Sequence, residues 1–405
     1  MKIIHTADWH IGKKLHDFDL QEDFDQFITW LVAFIAAEKA DVLLISGDIF
    51  DLANPSSTAR NQYYRSLVEL KKVVPKIILT GGNHDSPSVL NAPRELLKAL
   101  DFEVIGGLPE QIKEILIPLK NKENKVEIVV AAIPFLRNSD LHYPTVIKTY
   151  EERLEALKNG IKEVFDGAAI ACQECYPDTP ALAMGHLFAA GVETSDGERD
   201  IQIGNQAAVD SSAFGQYFNY VALGHIHKPQ RVSAAQPVFY SGSPIPLSFS
   251  ERKDKKRILL IDTDKGWEPQ SISIPSFRKL IKIKGDLRHI QRKLSELPEH
   301  QGLSNLIEIE FIGETYQDKL LQDLEHLIAV FSKSGYEIVK HRVRFINQQK
   351  QTGEIFEETV SLAELEPEKV FEERLAQEDY SLEDKKEIEV AFRELLEEAQ
   401  NRIEE

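Results

Sequence analysis

Five times along the first 227 residues a short apolar run stops and gives way at once to a cluster of aspartate, histidine or asparagine. KIIHTA leads into Asp8-Trp9-His10, DVLLIS into Gly47-Asp48-Ile49-Phe50-Asp51, and KIILT into Gly81, Gly82, Asn83, His84 and Asp85. Later, ALAM leads into Gly185-His186 and YVAL into Gly224-His225-Ile226-His227. Runs of this length and composition read as buried strands. Between the first three lie residues 22–39 and 56–74, whose apolar residues recur at helical spacing (Phe24, Phe27, Ile28, Leu31, Phe34 and Ile35 in the first). The alternation predicts an α/β domain. In open sheets of that class, sites form outside the carboxyl ends of the strands, so the five polar segments are expected to converge.

The residue types say what they converge on. Imidazole, carboxylate and amide oxygen without thiolate suit borderline-hard divalent ions such as Mn²⁺, Fe²⁺ or Zn²⁺. Asp8, His10, Asp48, Asn83, His186, His225 and His227 are too many side chains for one ion, and two ions sharing a bridging carboxylate fit the number. Such a pair, about 3.5–4 Å apart, suits in-line attack on a phosphate ester. Glycines at the strand ends let backbone and ligand approach closely. Taken singly, each motif is weak, since D-x-H at a strand end is commonly a turn acid beside a surface histidine, and GNHD is a fair turn with Asp85 or Ser86 capping a helix at Pro87. Their joint order makes the site. His5 reads as a core histidine, and His16 and His142 as solvated.

Further along, VEIVVAAIP, a helical stretch around residues 150–165, and then ALAMGH, YVALGH, PVFYSG and RILLID predict a second sheet packed on the first. Near Pro275 the pattern changes to strand, helix, strand, helix, strand, a module without a ligand cluster. Domains are therefore expected at 1–275, 276–346 and 347–405, the last a linker and a helical tail with helices at 367–377 and 382–403; Ser381 and Asp384 form a capping box. Net charge is −18, which disfavours a polyanionic partner, yet 13 of those charges belong to residues 351–405, with 19 acidic and 6 basic side chains. The body is nearly neutral. Cys172 and Cys175 make half of a four-ligand zinc site and read as two thiols in a polar surface loop, with a redox-sensitive or metal-binding loop as the alternative. With neither a run of about 18 apolar residues nor a leader-like start, a cytoplasmic protein with no membrane contact is expected.

The ordered set D-x-H, GD, GNHD, GH, GHxH resembles the calcineurin-like metallophosphoesterase superfamily. HTADWHIGK, SGDIFD, TGGNHD and YSGSPIPLSFSE after GHIHKPQ are similar, more narrowly, to the SbcD family of double-strand-break-repair nucleases. The resemblance implies an αββα sandwich of two sheets with a small α+β capping domain and a C-terminal helical tail. It implies one ion held by Asp8, His10, Asp48 and His227 and a second held by Asp48, Asn83, His186 and His225, with Mn²⁺ frequent in the family. His84 would face the phosphate, protonating the leaving oxygen or stabilising the transition state. Asp51 would orient His84 as in related phosphoprotein phosphatases, although some nuclease relatives carry histidine there. Also implied are a DNA substrate (duplex ends, hairpins, single strands), exonuclease and endonuclease action in repair, recombination and replication, a homodimer within a heterotetramer, and an ATPase partner, SbcC. The 276–346 module would touch DNA and the tail would dock on the partner's coiled coil, consistent with an acidic amphipathic helix being a groove ligand rather than a DNA binder; folding back on its own protein is the alternative.

Lys13, Lys14, Arg137, Lys228 and Arg231 lie beside the metal segments and are the expected DNA-contacting cations. The run SERKDKKR, with Arg252, Lys253, Lys255, Lys256 and Arg257, reads as a solvated hairpin turn, with DNA contact as the alternative. Two rival functions stay open: a metallophosphoesterase acting on a non-DNA phosphodiester or phosphomonoester, and a scaffold without catalysis. The first would share every ligand; the second is disfavoured because all seven ligands and His84 are present.

Overall fold

The computed structural model describes residues 1–141, 150–194 and 208–346, together with seven helical positions beyond them. Two six-stranded sheets stack face to face. In the first, Lys2–Thr6, Val42–Ser46, Lys76–Thr80 and Phe102–Ile105 run parallel, and Arg257–Asp262 and Gln270–Ser273 extend the other edge antiparallel. The second mirrors this plan: Val126–Ala132, Ala181–His186, Tyr220–Gly224 and Val238–Tyr240 are parallel, flanked by antiparallel Leu116–Lys120 and Gln230–Ser233.

Strand alternation decides what each sheet buries. Ile3, Leu44 and Ile78 join the core shared with the second sheet, whereas Ile4, Leu43, Ile45, Ile77 and Leu79 join the core shared with helices Gln21–Glu38 and Ser57–Lys71. Both faces are covered, which explains the uninterrupted apolar runs. Helix Tyr150–Cys175 covers the far sheet through Leu157, Ile161, Phe165 and Ala168, completing the αββα order.

Several expectations change here. RILLID belongs to the first sheet, where it pairs antiparallel with Lys2–Thr6 and covers what would be an exposed edge. Cys172 and Cys175 lie in the last turn of Tyr150–Cys175, not in a loop; Cys172 is buried and Cys175 exposed. The apolar spacing of Ile161, Phe165, Ala168 and Cys172 carries the helix past residue 165. His16 is half-buried rather than solvated, stacked on Phe249 with ring centroids 6.0 Å apart. His142 and the Ser381/Asp384 box lie outside the described residues. His5 is a core residue, its Nδ1 3.0 Å from the Tyr220 hydroxyl, and burial lowers its pKa to about 3.

After Pro275 the chain forms Leu280–Gly285, helix Leu287–Ser295, Asn305–Gly313, helix Asp318–Val330 and Tyr336–Phe345, a three-stranded all-parallel sheet with its own small core. It belongs to the same compact unit as the sandwich, which ends at Ile346. Arg278 pins the junction: its Nε donates to Asp23 at 2.7 Å, Nη1 donates to the Ser304 carbonyl at 2.6 Å, and the guanidinium lies 4.6 Å from the Phe18 ring. Beyond Ile346 the chain belongs to a second unit, in which Phe371 and Phe392 stack at 3.8 Å between centroids. No helix among the described residues is long and apolar enough to cross a membrane.

Candidate metal centre

All five polar segments meet at the carboxyl ends of the central parallel strands of the two sheets, where the first two are zipped together. Asp8 N donates to Gly47 O at 3.1 Å, His10 N to Asp48 O at 3.0 Å and Ile11 N to Ile49 O at 2.9 Å. Four of the seven expected ligands sit at positive φ: Asp8 at 54°, His10 at 45°, Asp48 at 48° and His225 at 100°. Non-glycine residues rarely adopt this region, which costs of order 1–3 kcal/mol each and is concentrated at functional sites. Close packing at the strand ends demands glycine: a Cβ on Gly82 would lie 2.1 Å from Asp48 Oδ1, and one on Gly224 would lie 1.8 Å from Ser46 O.

The side chains form two groups that share one carboxylate. Donor atoms of His10, Asp48 and His84 lie within 4.8 Å of one another, as do those of Asp48, His186 and His225. Asp48 Oδ2 is 3.4 Å from His10 Nε2 and 3.3 Å from His186 Nε2. Asn83 Oδ1 stands 3.0 Å from both His186 Nε2 and His225 Nδ1, and His227 Nε2 is 3.2 Å from His10 Nε2. Asp8 joins through Oδ1, which accepts from His225 N at 2.7 Å. All seven expected ligands are thus brought together, and His84 beside them.

Neighbouring acceptors aim the imidazoles. His10 Nδ1 meets Asp51 Oδ1 at 3.2 Å, His186 Nδ1 meets Ser46 O at 3.0 Å, and His227 Nδ1 meets Glu251 Oε1 at 3.3 Å. An imidazole that donates through Nδ1 keeps its Nε2 lone pair for a ligand. His10 and His227 then face each other at 3.2 Å with two lone pairs, an arrangement that a shared cation relieves. Asp8 Oδ2 and His225 Nε2 are buried without a hydrogen-bond partner. Orphan buried atoms of this kind are rare and call for an ion or water. On this test, the donor set fits divalent cations.

For His10 and His225 the electrostatics agree with a ligand role. Burial lowers His10 to about 4 and holds His225 well below its usual value, so both stay neutral and available as ligands. Burial likewise pushes Asp8 up to about 7. Asp48 goes the other way: burial disfavours its charge, but His186 and His84 outweigh burial and keep it ionised. His186 rises to about 9 because Asp48 overrides the effect of burial.

Around the cluster the expectations divide. Asp51 contacts His84 through its backbone, with the carbonyl accepting from His84 Nδ1 at 2.9 Å; its carboxylate is engaged by His10 and by Lys13 Nζ at 3.0 Å. Of the two expected caps, Ser86 takes the N-cap position of helix Pro87–Asn91, while the Asp85 carboxylate accepts from Gly82 N at 2.8 Å and from Ile49 N and Phe50 N at 2.9 Å each, tying two of the polar loops together. Among the expected DNA cations, Lys14 is exposed, Arg137 donates to the Asp85 carbonyl at 2.7 Å, Lys228 pairs with Glu193, and Arg231 pairs with Glu268 at 2.8 Å. Sequence reasoning misses Glu251 and Lys256: Arg252, Lys253 and Lys255 of SERKDKKR are exposed as expected, but Lys256 is buried and donates to Glu251 Oε2 at 2.6 Å.

Comparison with known proteins bears on this arrangement. A family described as calcineurin-like phosphoesterase matches residues 1–229, and one described as type 5 capsule protein repressor C-terminal domain matches residues 276–379. The chain is also similar to proteins named as the SbcD component of the nuclease SbcCD. The one from Escherichia coli K12 is 30% identical over 393 residues, 94% of each chain. The one from Rhodobacter capsulatus is 36% identical over 284 residues, 68% of this chain and 69% of the relative, and that from Bacillus subtilis is 29% identical over 290 residues, 70% and 72%. With these ligand loops on this two-sheet sandwich, the chain belongs to the calcineurin-like phosphoesterase family of metal-dependent hydrolases, in its SbcD nuclease branch.

Proposed function

We propose that the chain is a Mn²⁺-dependent DNA nuclease subunit that hydrolyses phosphodiester bonds at duplex ends, hairpins and single strands with two divalent ions, in partnership with the ATPase SbcC. One observation carries the reading: Asp48 stands between two ligand groups, flanked by orphaned Asp8 Oδ2 and His225 Nε2. Asp8, His10, Asp48 and His227 would hold one ion, and Asp48, Asn83, His186 and His225 the other. When bound, such ions supply Lewis acidity to a phosphate ester and an attacking water.

The chain's own groups do the rest. His84 is tied through Nδ1 to the Asp51 carbonyl and packs edge-on against His10 with ring centroids 4.9 Å apart, so Nε2 is its free end. From that position it delivers a proton to the leaving oxygen. Asp51 acts less on His84 than on His10, and on Lys13, which is held close to where a phosphate would lie. Lys14, Arg137, Lys228 and Arg231 would bind the DNA backbone, which favours little sequence preference. In this reading residues 276–346 contact DNA, residues 347–405 dock on the ATPase, and the protein is a homodimer within a cytoplasmic heterotetramer serving repair, recombination and replication. The names of its relatives, components of SbcCD, support the partnership.

The test is hydrolysis of hairpin-ended duplex DNA in Mn²⁺, with and without SbcC and ATP, against cyclic nucleotides and phosphopeptides, with Asp48→Ala as control. DNA should be the preferred substrate, and faster turnover of the small phosphate esters would refute the reading. Truncation after Lys350 should abolish ATPase binding while leaving metal-dependent hydrolysis of a simple phosphodiester intact.

A further inference from the structure

Glu251 and Lys256 form a buried charge pair 1% and 6% exposed, a burial that ionised side chains rarely sustain without a specific arrangement of partners. Every polar atom of the pair is engaged. Glu251 Oε1 meets His227 Nδ1 at 3.3 Å and accepts from Ser248 Oγ at 3.1 Å; Oε2 accepts from Lys256 Nζ at 2.6 Å, Leu247 N at 3.2 Å and Ser243 Oγ at 3.3 Å. Lys256 Nζ donates in addition to Ser243 Oγ at 2.8 Å and to the His227 carbonyl at 3.0 Å. The pair therefore grips His227 twice, by its ring and by its backbone. From behind, the turn Phe249–Lys253 that carries Glu251 is braced by the capping strand Leu280–Gly285.

From this geometry we infer that Glu251, clamped by Lys256, is a positioning residue for the metal centre: it fixes the tautomer and the aim of the His227 ring and so sets the affinity of one of the two ion positions. A carboxylate accepting from Nδ1 leaves the lone pair on Nε2, raises the basicity of the ring and removes its rotational freedom. His10 receives the same service from Asp51, and His186 from the Ser46 carbonyl. The Glu251 clasp comes from residues far along the chain from the first ligand loops, in the segment YSGSPIPLSFSERKDKK. Its hydrogen bonds reach His227 and leave Asp48, Asn83, His186 and His225 to other partners, so its effect should fall on one ion and spare the other.

The inference rests on the two-ion reading, and titration of the full chain with Mn²⁺ alone, followed by calorimetry and by the electron paramagnetic resonance of free Mn²⁺, separates the two. Wild-type protein comes first: two ions per chain are expected, and fewer would overturn the two-ion reading itself. Glu251→Gln is then compared with wild type. Since that change leaves Lys256 buried without its partner, the double variant Glu251→Gln/Lys256→Met, which removes both charges, is measured beside it. In either variant one ion should bind about 10–100-fold more weakly while the other is unchanged. Glu251→Asp, which keeps the carboxylate, should recover part of the loss. Unchanged binding of both ions, or equal weakening of both, would show that the pair only supports the fold.

Discussion

The metal centre and the capping sheet are both crowded with charged side chains, and they treat those charges in opposite ways. On the capping sheet, Lys282 reaches Glu308 and Glu310 at 3.2 and 3.1 Å, Lys284 reaches Glu310 at 2.7 Å, and Arg342 approaches Glu308 at 3.7 Å. These are neighbours across adjacent strands, as the register of Lys282 with Glu308 and of Glu310 with Arg342 requires. The acids there are satisfied by the protein. In the metal centre, by contrast, Asp8 Oδ2 and His225 Nε2 have no partner, two imidazole nitrogens face each other, and four residues hold strained backbone to keep it so. Folding alone does not favour that arrangement. Between these two clusters, incomplete polar atoms set the candidate ligand site apart from the self-satisfied sheet.

The sharpest way to break the contrast is to remove the shared carboxylate. Asp48→Asn should lower hydrolysis on the order of 10⁴-fold or more, since charge stabilisation by both ions, several kcal/mol, depends on it. Bound metal measured by elemental analysis should fall with it; retained stoichiometry would place the bridge elsewhere. Next in size is His84→Ala. That variant should keep both ions and lose about 10²–10⁴-fold in rate, the usual contribution of a general acid. Loss of metal in His84→Ala would instead make His84 a ligand, a role its distance to His10 and Asp48 does not by itself forbid.

How much of this is legible in the sequence follows from the same distinction. The seven candidate ligands and His84 are legible because each follows an apolar run closely, and parallel strands bring their carboxyl ends to one edge of the sheet. Partners that complete a charge are not. Lys256 looks solvated in SERKDKKR because nothing in the sequence reveals that Glu251, five residues earlier, turns inward under His227. Asp51 misleads for a related reason: its proximity to His84 holds, but the contact runs through the backbone carbonyl, which every residue type carries. RILLID reads as a strand of the wrong sheet since burial on both faces is a property of either one, and only its pairing with Lys2–Thr6 decides. Cys172 reads as a loop residue because the two thiols mask an apolar spacing that continues the helix through Phe165 and Ala168.

Smaller effects sharpen the comparison from the structural side. Arg278→Ala strips Asp23 of the guanidinium that holds its carboxylate at 2.7 Å, and an uncompensated buried charge costs about 3–5 kcal/mol. Denaturant unfolding should show that loss, while Mn²⁺ affinity of the folded variant stays at the wild-type level. Should ion binding weaken as well, the junction would be part of the site rather than a support for the capping module.

Smallest of all should be Lys284→Ala. Its ammonium ion is paired with Glu310, yet the side chain is 53% exposed, so water competes for both partners and salt screens them. Glu310 also keeps Lys282 at 3.1 Å, which leaves its carboxylate compensated after the substitution. The expected change in unfolding free energy is below about 1 kcal/mol, shrinking further in high salt, with no change in metal stoichiometry. A loss several times larger would mean that the capping sheet's charges act as a cooperative network, and the contrast with the metal centre would then lie in its unpartnered polar atoms alone rather than in how tightly each region couples its charges.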